Sequence, residues 1–447
     1  MTSTATSTTS STLIRRVTSA SVIGSVVEWY DFYLYGTAAA LVFNRLFFPT
    51  FDPLTGTLLA FGTYATGFLV RPIGGVIFGH LGDRIGRKKV LVFTLILMGT
   101  ATTLMGVLPT YAAVGVLAPI LLLALRMIQG AAAGAEYTGA IVLVGEFAPK
   151  PRRGLLSSLP GAGISIGIVL AASVFALFSM LPPEQFDAWG WRVPFLLSAI
   201  VVIVGLVIRL RVPETPEFEK LVAAQKDSQS PIKTLFKTQP KEFFLALGIR
   251  IAENGSAYLL QVFVLTYLVT QVGFTSTVGL VGTLIGAGLC IVLIPVYGAL
   301  ADRIGSRYVY LGGAIIFVAI AFPYFLLLDT GNPVVAAATI ALSIALAYGP
   351  MCAAQPTLFI DMFDTRVRFS GISLAREFSA PLAGGVAPLI AIALLQVTGG
   401  APWLVATYIA VLGLVTVVCL LLLPKRFGRK TVGAVEAEQK QPVSLAA

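Results

Sequence analysis

The sequence has little charge, little cysteine and almost no histidine. Only 12% of its 447 residues are Asp, Glu, Lys or Arg, about half the roughly 25% of a soluble globular domain. That shortage excludes a water-facing surface over most of the chain. Cys290, Cys352 and Cys419 fall in apolar stretches without a CxxC spacing and read as small buried side chains. The one histidine, His80, sits at a loop edge, which argues against a metal centre. No GxxxxGKS or GxxxxGKT phosphate loop occurs, and GAGISIG at 161–167 lacks the context and spacing of a dinucleotide fingerprint. The chain therefore reads as no enzyme, with no catalytic residues, no cofactor and no metal.

What is abundant is apolar. Hydrophobic residues make up 57% of the chain, and the mean hydropathy is +0.89. This is the profile of an all-α polytopic membrane protein. A helix needs about 20 apolar residues to cross the hydrocarbon core. Reading from one charge or turn cluster to the next gives twelve spans, at 18–44, 56–80, 90–109, 113–146, 155–181, 191–211, 243–271, 275–299, 309–328, 333–361, 369–397 and 402–424. Residues 213–242 are charged and Pro-punctuated. They divide the chain into two six-helix bundles, 18–212 and 243–424, flanked by tails at 1–17 and 425–447. The opening MTSTATSTTSST lacks a basic n-region, so no cleavable signal peptide is expected, and it reads as an unstructured tail.

The formal net charge of +10 is arranged as an orientation signal rather than a nucleic-acid surface. With an even number of spans, both termini share one side. Twenty-five of the 31 Lys and Arg fall on that side, against Arg45 and Arg192 on the other, with Arg71, Arg126, Arg250 and Arg376 inside spans. The asymmetry places both termini in the cytoplasm, with the chain in the cell (plasma or inner) membrane.

Two loops recur. GHLGDRIGRKKV at 79–90 returns as GALADRIGSRYV at 298–309, and EFAPKPRRG at 146–154 parallels DMFDTRVRFSG at 361–371. Two duplicated loops in the same order imply two related halves, with a solute site near mid-membrane between them. Gly79, Gly82 and Gly86 suit a tight turn and close helix approach. Asp83 is placed to cap a helix or pair with an Arg, and Arg84, Arg87 and Lys88 to meet headgroups and carboxylates. Asp302, Arg303 and Arg307 are the second copy. Together they form a candidate gating motif.

Glu28 and Asp31, in VVEWYDFYLYG at 26–36, lie roughly 18 and 22 Å of helix rise beyond Arg16. Three residues apart, they sit about 60° from one another on the helix surface. An ionised acid at that depth is costly unless it is partnered or meets a water-filled cavity. One reading is that either or both carry a coupling proton. The other is a fixed ion pair with Arg71 or Arg126. Arg126 and Glu136 are ten residues apart and cannot pair on one helix, so each needs a partner elsewhere. Arg250 and Glu253 are spaced to pair on one face, and Asn254 is placed either to bind solute or to bridge helices. Pro350 and Pro356 are expected to kink the tenth span, with Gln355 facing the cavity. Trp29, Tyr33 and their neighbours offer π faces to a quaternary ammonium such as betaine, whereas Arg126, Arg250 or Arg376 suit an anion.

At these residues the chain resembles the major facilitator superfamily. GHLGDRIGRKK is similar to that family's loop between helices 2 and 3, and RMIQGAAAGAEYTGA at 126–140 to its helix-4 motif. VVEWYDFYLYG, GAEYTGA, PRRG, WGWRVPF at 189–195 and PETPEF at 213–218 resemble the metabolite:proton symporters, which carry shikimate, dicarboxylates, citrate, proline and betaine. The resemblance implies a twelve-helix carrier of two pseudo-symmetric bundles that rocks between two access states. It implies proton coupling at Arg126, and the candidate proton-coupling set read from the residues is Glu28, Asp31, Arg126 and Glu136. The candidate solute contacts are Trp29, Tyr33, Tyr35, Arg71, Tyr137, Arg250, Glu253, Asn254, Gln355 and Arg376. The expected partners are a small organic acid or compatible solute, protons and the lipid bilayer, with no nucleic acid and a monomer as the working unit. PGAGISIG at 160–167 lacks the Gly-Pro step of family antiporters, which favours symport over efflux. Helix 11 departs from its relatives in carrying Arg376 and Glu377. A proton-coupled efflux antiporter or a passive facilitator of the same fold stands as the alternative.

Overall fold

The computed structural model describes residues 3–428 apart from 86, 135–137, 139, 140, 143, 146, 147, 211–230, 365 and 366. At 3–13, 79–85, 87–89, 91, 208, 209, 231, 232 and 369 it describes backbone alone. The described residues form helices and no strand. In the first half these are α1 (Ser3–Ala38), α2 (Pro53–Ile85), α3 (Arg87–Met105), α4 (Leu117–Ala133), α5 (Arg153–Ser179) and α6 (Arg192–Leu210). In the second half they are α7 (Pro240–Tyr258), α8 (Ser276–Ile304), α9 (Ser306–Ala319, continued by Ala321–Leu328), α10 (Pro333–Ser343, continued by Gly349–Met362), α11 (Arg368–Ala380, continued by Val386–Val397) and α12 (Trp403–Leu422).

Each of these twelve helices overlaps one of the twelve apolar stretches, and a further short helix, Pro231–Thr238, lies in the charged segment between the halves. Seven are long and apolar enough to cross a membrane, and nine if each bent pair counts as one span. Val92–Met105 and Leu117–Ala133 are shorter apolar helices, and α1 carries the two acids. Exposed Leu, Ile and Val side chains, such as Leu69, Ile73, Val76 and Ile77 on α2 and Val292 and Val296 on α8, form the outer surface. So much exposed apolar surface is stable only against lipid.

Local chemistry sets the helix ends and breaks. Asp52 accepts the amides of Leu54 (3.2 Å) and Thr55 (3.0 Å) and so caps α2. The Thr55 hydroxyl, and then its amide, hold the Asp52 carboxyl below its usual range. Asn332 caps α10 in the same way. α9 bends by 51° next to Pro323, which has no N–H to continue the ladder. α10 opens into a π-helical turn at Ile344–Tyr348, just before Pro350. α1 reaches back to Ser3 through the stretch read as an unstructured tail. No Gly or Pro lies between Ser3 and Ile23 to stop it.

The duplication is visible in the contacts. Arg153 Nε donates to the Gly145 carbonyl, and Arg368 Nε to that of Ile360, and both pairs are 215 residues apart in matching order. Each Arg ties the start of α5 or α11 to the chain before it. Between the halves, α5 lies along α8, α2 along α11, and α1 against Leu259–Phe263, which continues α7.

Candidate functional site

Buried charge gathers where α1, α2 and α4 face α7, α10 and α11. The 60° between Glu28 and Asp31 proves decisive, because it sends the two acids to different partners. Glu28 pairs with the Arg71 guanidinium of α2. The same guanidinium reaches across to α11, with Arg71 Nε 3.3 Å from Glu377 Oε2. All three residues are buried.

Asp31 turns instead into its own half. Its Oδ1 accepts from Ser198 of α6 (2.5 Å) and its Oδ2 from Thr102 of α3 (2.9 Å). Thr102 Oγ1 also accepts from Gln129 Nε2 of α4 (2.7 Å), and Gln129 Oε1 accepts from Arg126. A continuous chain of hydrogen bonds therefore runs from Asp31 through Thr102 and Gln129 to Arg126.

Arg126 has no carboxylate partner among the described residues. It donates to the Tyr64 carbonyl at 3.3 Å. Its guanidinium lies 4.5–5.3 Å from the ring centroids of Phe32, Tyr35, Tyr64 and Phe68. Aromatic faces at that distance offset part of the cost of burying a cation, roughly 0.5–2 kcal/mol each. Gly67 and Gly130 make room for this box. A Cβ at Gly130 would strike the Gly67 backbone, and one at Gly67 would strike the Arg126 guanidinium. Tyr35 donates or accepts with Thr63 at 2.8 Å.

In the second half, Arg250 pairs with Glu253 at 2.8 Å, and Tyr310 donates to the other Glu253 oxygen at 3.0 Å. Asn254 bridges to Ser379 of α11 at 3.0 Å. Arg376 donates to Gln355 at 3.2 Å. Trp29 stacks on Tyr258 with centroids 6.1 Å apart and planes at 22°. Tyr33 donates to the Gln261 carbonyl at 3.5 Å. Several buried polar atoms here have no partner among the described residues: Trp29 Nε1, Tyr64 Oη, one Arg126 terminal nitrogen, the Gln261 amide and Gln355 Nε2.

At the helix ends, the residues of the candidate gating motif differ in what they hold. Asp302 crosses the interface, accepting from the amides of Gly154 (2.6 Å) and Leu155 (3.0 Å) at the start of α5. A Cβ at Gly154 would strike the Gly298 carbonyl, so the α5–α8 seam is closed here. Arg307 stays within its half and donates to the carbonyls of Leu420 and Leu423 at the end of α12. Arg303 is exposed. Gly79, Gly82, Asp83, Arg84, Arg87 and Lys88 are described by backbone alone, and Gly86, Glu136 and Tyr137 lie outside the described residues.

Sequence reasoning missed Thr102, Ser198, Gln129, Tyr64, Phe68, Tyr258 and Gln261, and it left Glu377 outside the site. Gln129 was accessible, three residues past Arg126 on one face. So was Gln261, a lone amide in an apolar run. The hydroxyls were not, because Ser and Thr in apolar helices commonly bond back to their own carbonyls.

The profile of the Major Facilitator Superfamily matches residues 21–378. The shikimate transporter of Escherichia coli is 40% identical over 414 residues, covering 92% of this chain and 94% of that one. The proline/betaine transporter of Salmonella typhimurium is 34% identical, covering 90% and 82%. Among solved structures, a D-xylose-proton symporter matches with a TM-score of 0.69 at 18% identity, over 92% of this chain and 97% of that one.

Proposed function

The chain belongs to the major facilitator superfamily, membrane transporters rather than enzymes, and we propose that it imports a small polar metabolite by proton symport with alternating access. The observation that carries this reading is the hydrogen-bonded chain from Asp31 to Arg126. It joins a carboxylate within the first half to a guanidinium that has no carboxylate of its own among the described residues.

The chain has a built-in alternative. The single Thr102 proton has two acceptors, Asp31 at 2.9 Å and the Met98 carbonyl at 3.0 Å. When Asp31 takes a proton it becomes the weaker acceptor. Thr102 then turns its proton to Met98 while its oxygen still receives Gln129, and loss of the Asp31 charge weakens the polarisation of the chain that holds Arg126, which favours a solute carboxylate there. Solute and proton thus favour each other's binding, which is what symport requires.

The site supports a carboxylate-bearing solute. Arg126 has one terminal nitrogen without a partner among the described residues, and Gln261, Gln355 and Trp29 offer further polar atoms. The Trp29 and Tyr258 rings, 6.1 Å apart, are too close to clasp a quaternary ammonium between them. In this reading the halves are 18–212 and 243–424, both termini are cytoplasmic in the inner membrane, and the monomer is the working unit. Uptake of labelled shikimate, dicarboxylates, citrate, proline and betaine into energised cells tests it. Accumulation of an organic acid that an uncoupler abolishes supports the proposal. Uptake that persists without a proton gradient supports a facilitator, and proton-driven loss from loaded vesicles an antiporter.

A further inference from the structure

The short helix Pro231–Thr238 takes no part in the site between the halves, and its sequence, PIKTLFKT, sorts by face. Lys233 and Lys237 stand about 40° apart on the helix surface, with Phe236 beside them, while Leu235 lies roughly 160° from both lysines. Burial follows that division. Leu235 is 0% exposed, whereas Lys233, Phe236 and Lys237 are exposed. The helix packs against α7 and the start of α11. Gln239, just past its end, is also buried, and its Oε1 accepts the Asp364 amide of the α10–α11 loop at 3.1 Å. The helix is thus fixed to the second half by one edge and bare along the other.

The bare edge continues onto α7. Only Gln239 separates the short helix from the apolar span Pro240–Val272, so Lys237 and Lys241 flank the point where the chain enters the apolar layer. Lys241 is exposed, and so is Phe244, at 63%. The rings of Phe236, Phe243 and Phe244 form a row with successive centroids 5.0 and 5.2 Å apart. Phe243 is buried, while Phe236 is 44% exposed at the other end of the row. Three lysines and two bare phenylalanines therefore share one patch. The described acids of these segments, Glu242 of α7 and Asp364 of the loop, are fewer than the lysines. Bare rings beside ammonium groups suit the level of the lipid headgroups, where a ring can enter the acyl boundary while the cation stays among phosphates.

We propose that this patch is a docking surface for anionic phospholipid. Lys233, Lys237 and Lys241 bind headgroup phosphates, and Phe236 and Phe244 enter the acyl boundary beside them. Charge complementarity selects the occupant. A zwitterionic headgroup brings its own cation, which competes with the lysines for the phosphate, whereas an anionic headgroup does not. Each lysine close to an anionic leaflet strengthens the attachment by about fivefold. Because Gln239 holds the Asp364 amide, lipid that holds the short helix also steadies the loop leading into α11. The surface depends neither on the solute carried nor on proton coupling.

The test uses the full chain in nanodiscs of phosphatidylcholine alone, or with a third of it replaced by phosphatidylglycerol. Acetylation of each lysine is followed by mass spectrometry, with the exposed Lys150 as the reference for the general surface potential. Relative to Lys150, Lys233 and Lys237 should react several-fold more slowly in the anionic discs. Inorganic phosphate added to the phosphatidylcholine discs should give no such protection. Phe236→Ser combined with Phe244→Ser, which alters exposed side chains only, should lose most of the protection. Equal relative rates in the two kinds of disc overturn the proposal, whether the lysines are bare in both or covered by protein in both. Protection by free phosphate equal to that by lipid overturns it as well. So does protection that survives the loss of both phenylalanines, which would reflect diffuse attraction to the leaflet without docking.

Discussion

Asp302 and Gly154 hold the two halves together across the α5–α8 seam. The carboxylate at the end of α8 receives the Gly154 amide at 2.6 Å and the Leu155 amide at 3.0 Å, so an acid of one half caps a helix of the other. A charged cap at a helix N-terminus is favoured both by the orphan amides and by the helix dipole.

Losing this cap should loosen one end of the carrier. Caps contribute about 0.5–2 kcal/mol, so Asp302→Ala should shift the closed-to-open ratio at this end by roughly 2- to 30-fold. Faster hydrogen exchange at the start of α5 is the readout. An unchanged rate there would show that the cap does not hold the seam.

The chain through Thr102 makes a sharper prediction. Thr102→Val removes one hydroxyl from Asp31 and the acceptor from Gln129 at nearly constant volume. Hydrogen bonds to charged groups contribute about 1.5–3 kcal/mol, so proton-driven uptake should fall by roughly 10- to 150-fold. Thr103→Val is the control, since its hydroxyl returns to the Gly99 carbonyl of the same helix. It should transport nearly as the wild type does.

Packing around Arg126 can be tested with two neighbouring glycines. A methyl at Gly67 meets the Arg126 guanidinium, whereas one at Gly62 meets nothing within 4 Å. Gly67→Ala should cost about 1–3 kcal/mol as an overpacked site and impair uptake. Gly62→Ala should leave both stability and uptake intact. Thermal unfolding in detergent and solute uptake are the paired measurements.

Arg307 should behave differently from the other residues of the gating motif. It donates to carbonyls at the end of α12, within its own half. A cation at a helix C-terminus contributes roughly 0.5–2 kcal/mol. Arg307→Ala should therefore lower thermal stability while leaving uptake per folded molecule unchanged. Loss of uptake in fully folded protein would place it in the gate instead.

The spans were legible because the bilayer leaves so few solutions. A stretch of about 20 apolar residues has to become a helix, and each of α1–α12 overlaps such a stretch. Arg250–Glu253 was legible too, because it is local. The Glu28–Arg71 pair was one of the readings left open, and packing decided it, whereas the partners of Asp31 and Arg126 were not legible, since Thr102, Ser198 and the four aromatic rings reach them only through tertiary packing. Glu377 shows the limit well. Its charge stands out in the sequence, yet its meaning depends on a cation roughly 300 residues away. The first helix teaches the opposite lesson. A polar composition suggested a tail, but without Gly or Pro nothing ends the helix before Ser3.

The most direct test of proton-driven import uses purified protein in liposomes, with an imposed inward proton gradient and labelled shikimate or a dicarboxylate outside. The account predicts accumulation above the outside concentration, alkalinisation of the medium as the solute enters, and loss of both in Asp31→Asn. Solute that only equilibrates, with no proton movement and no effect of Asp31→Asn, would contradict it.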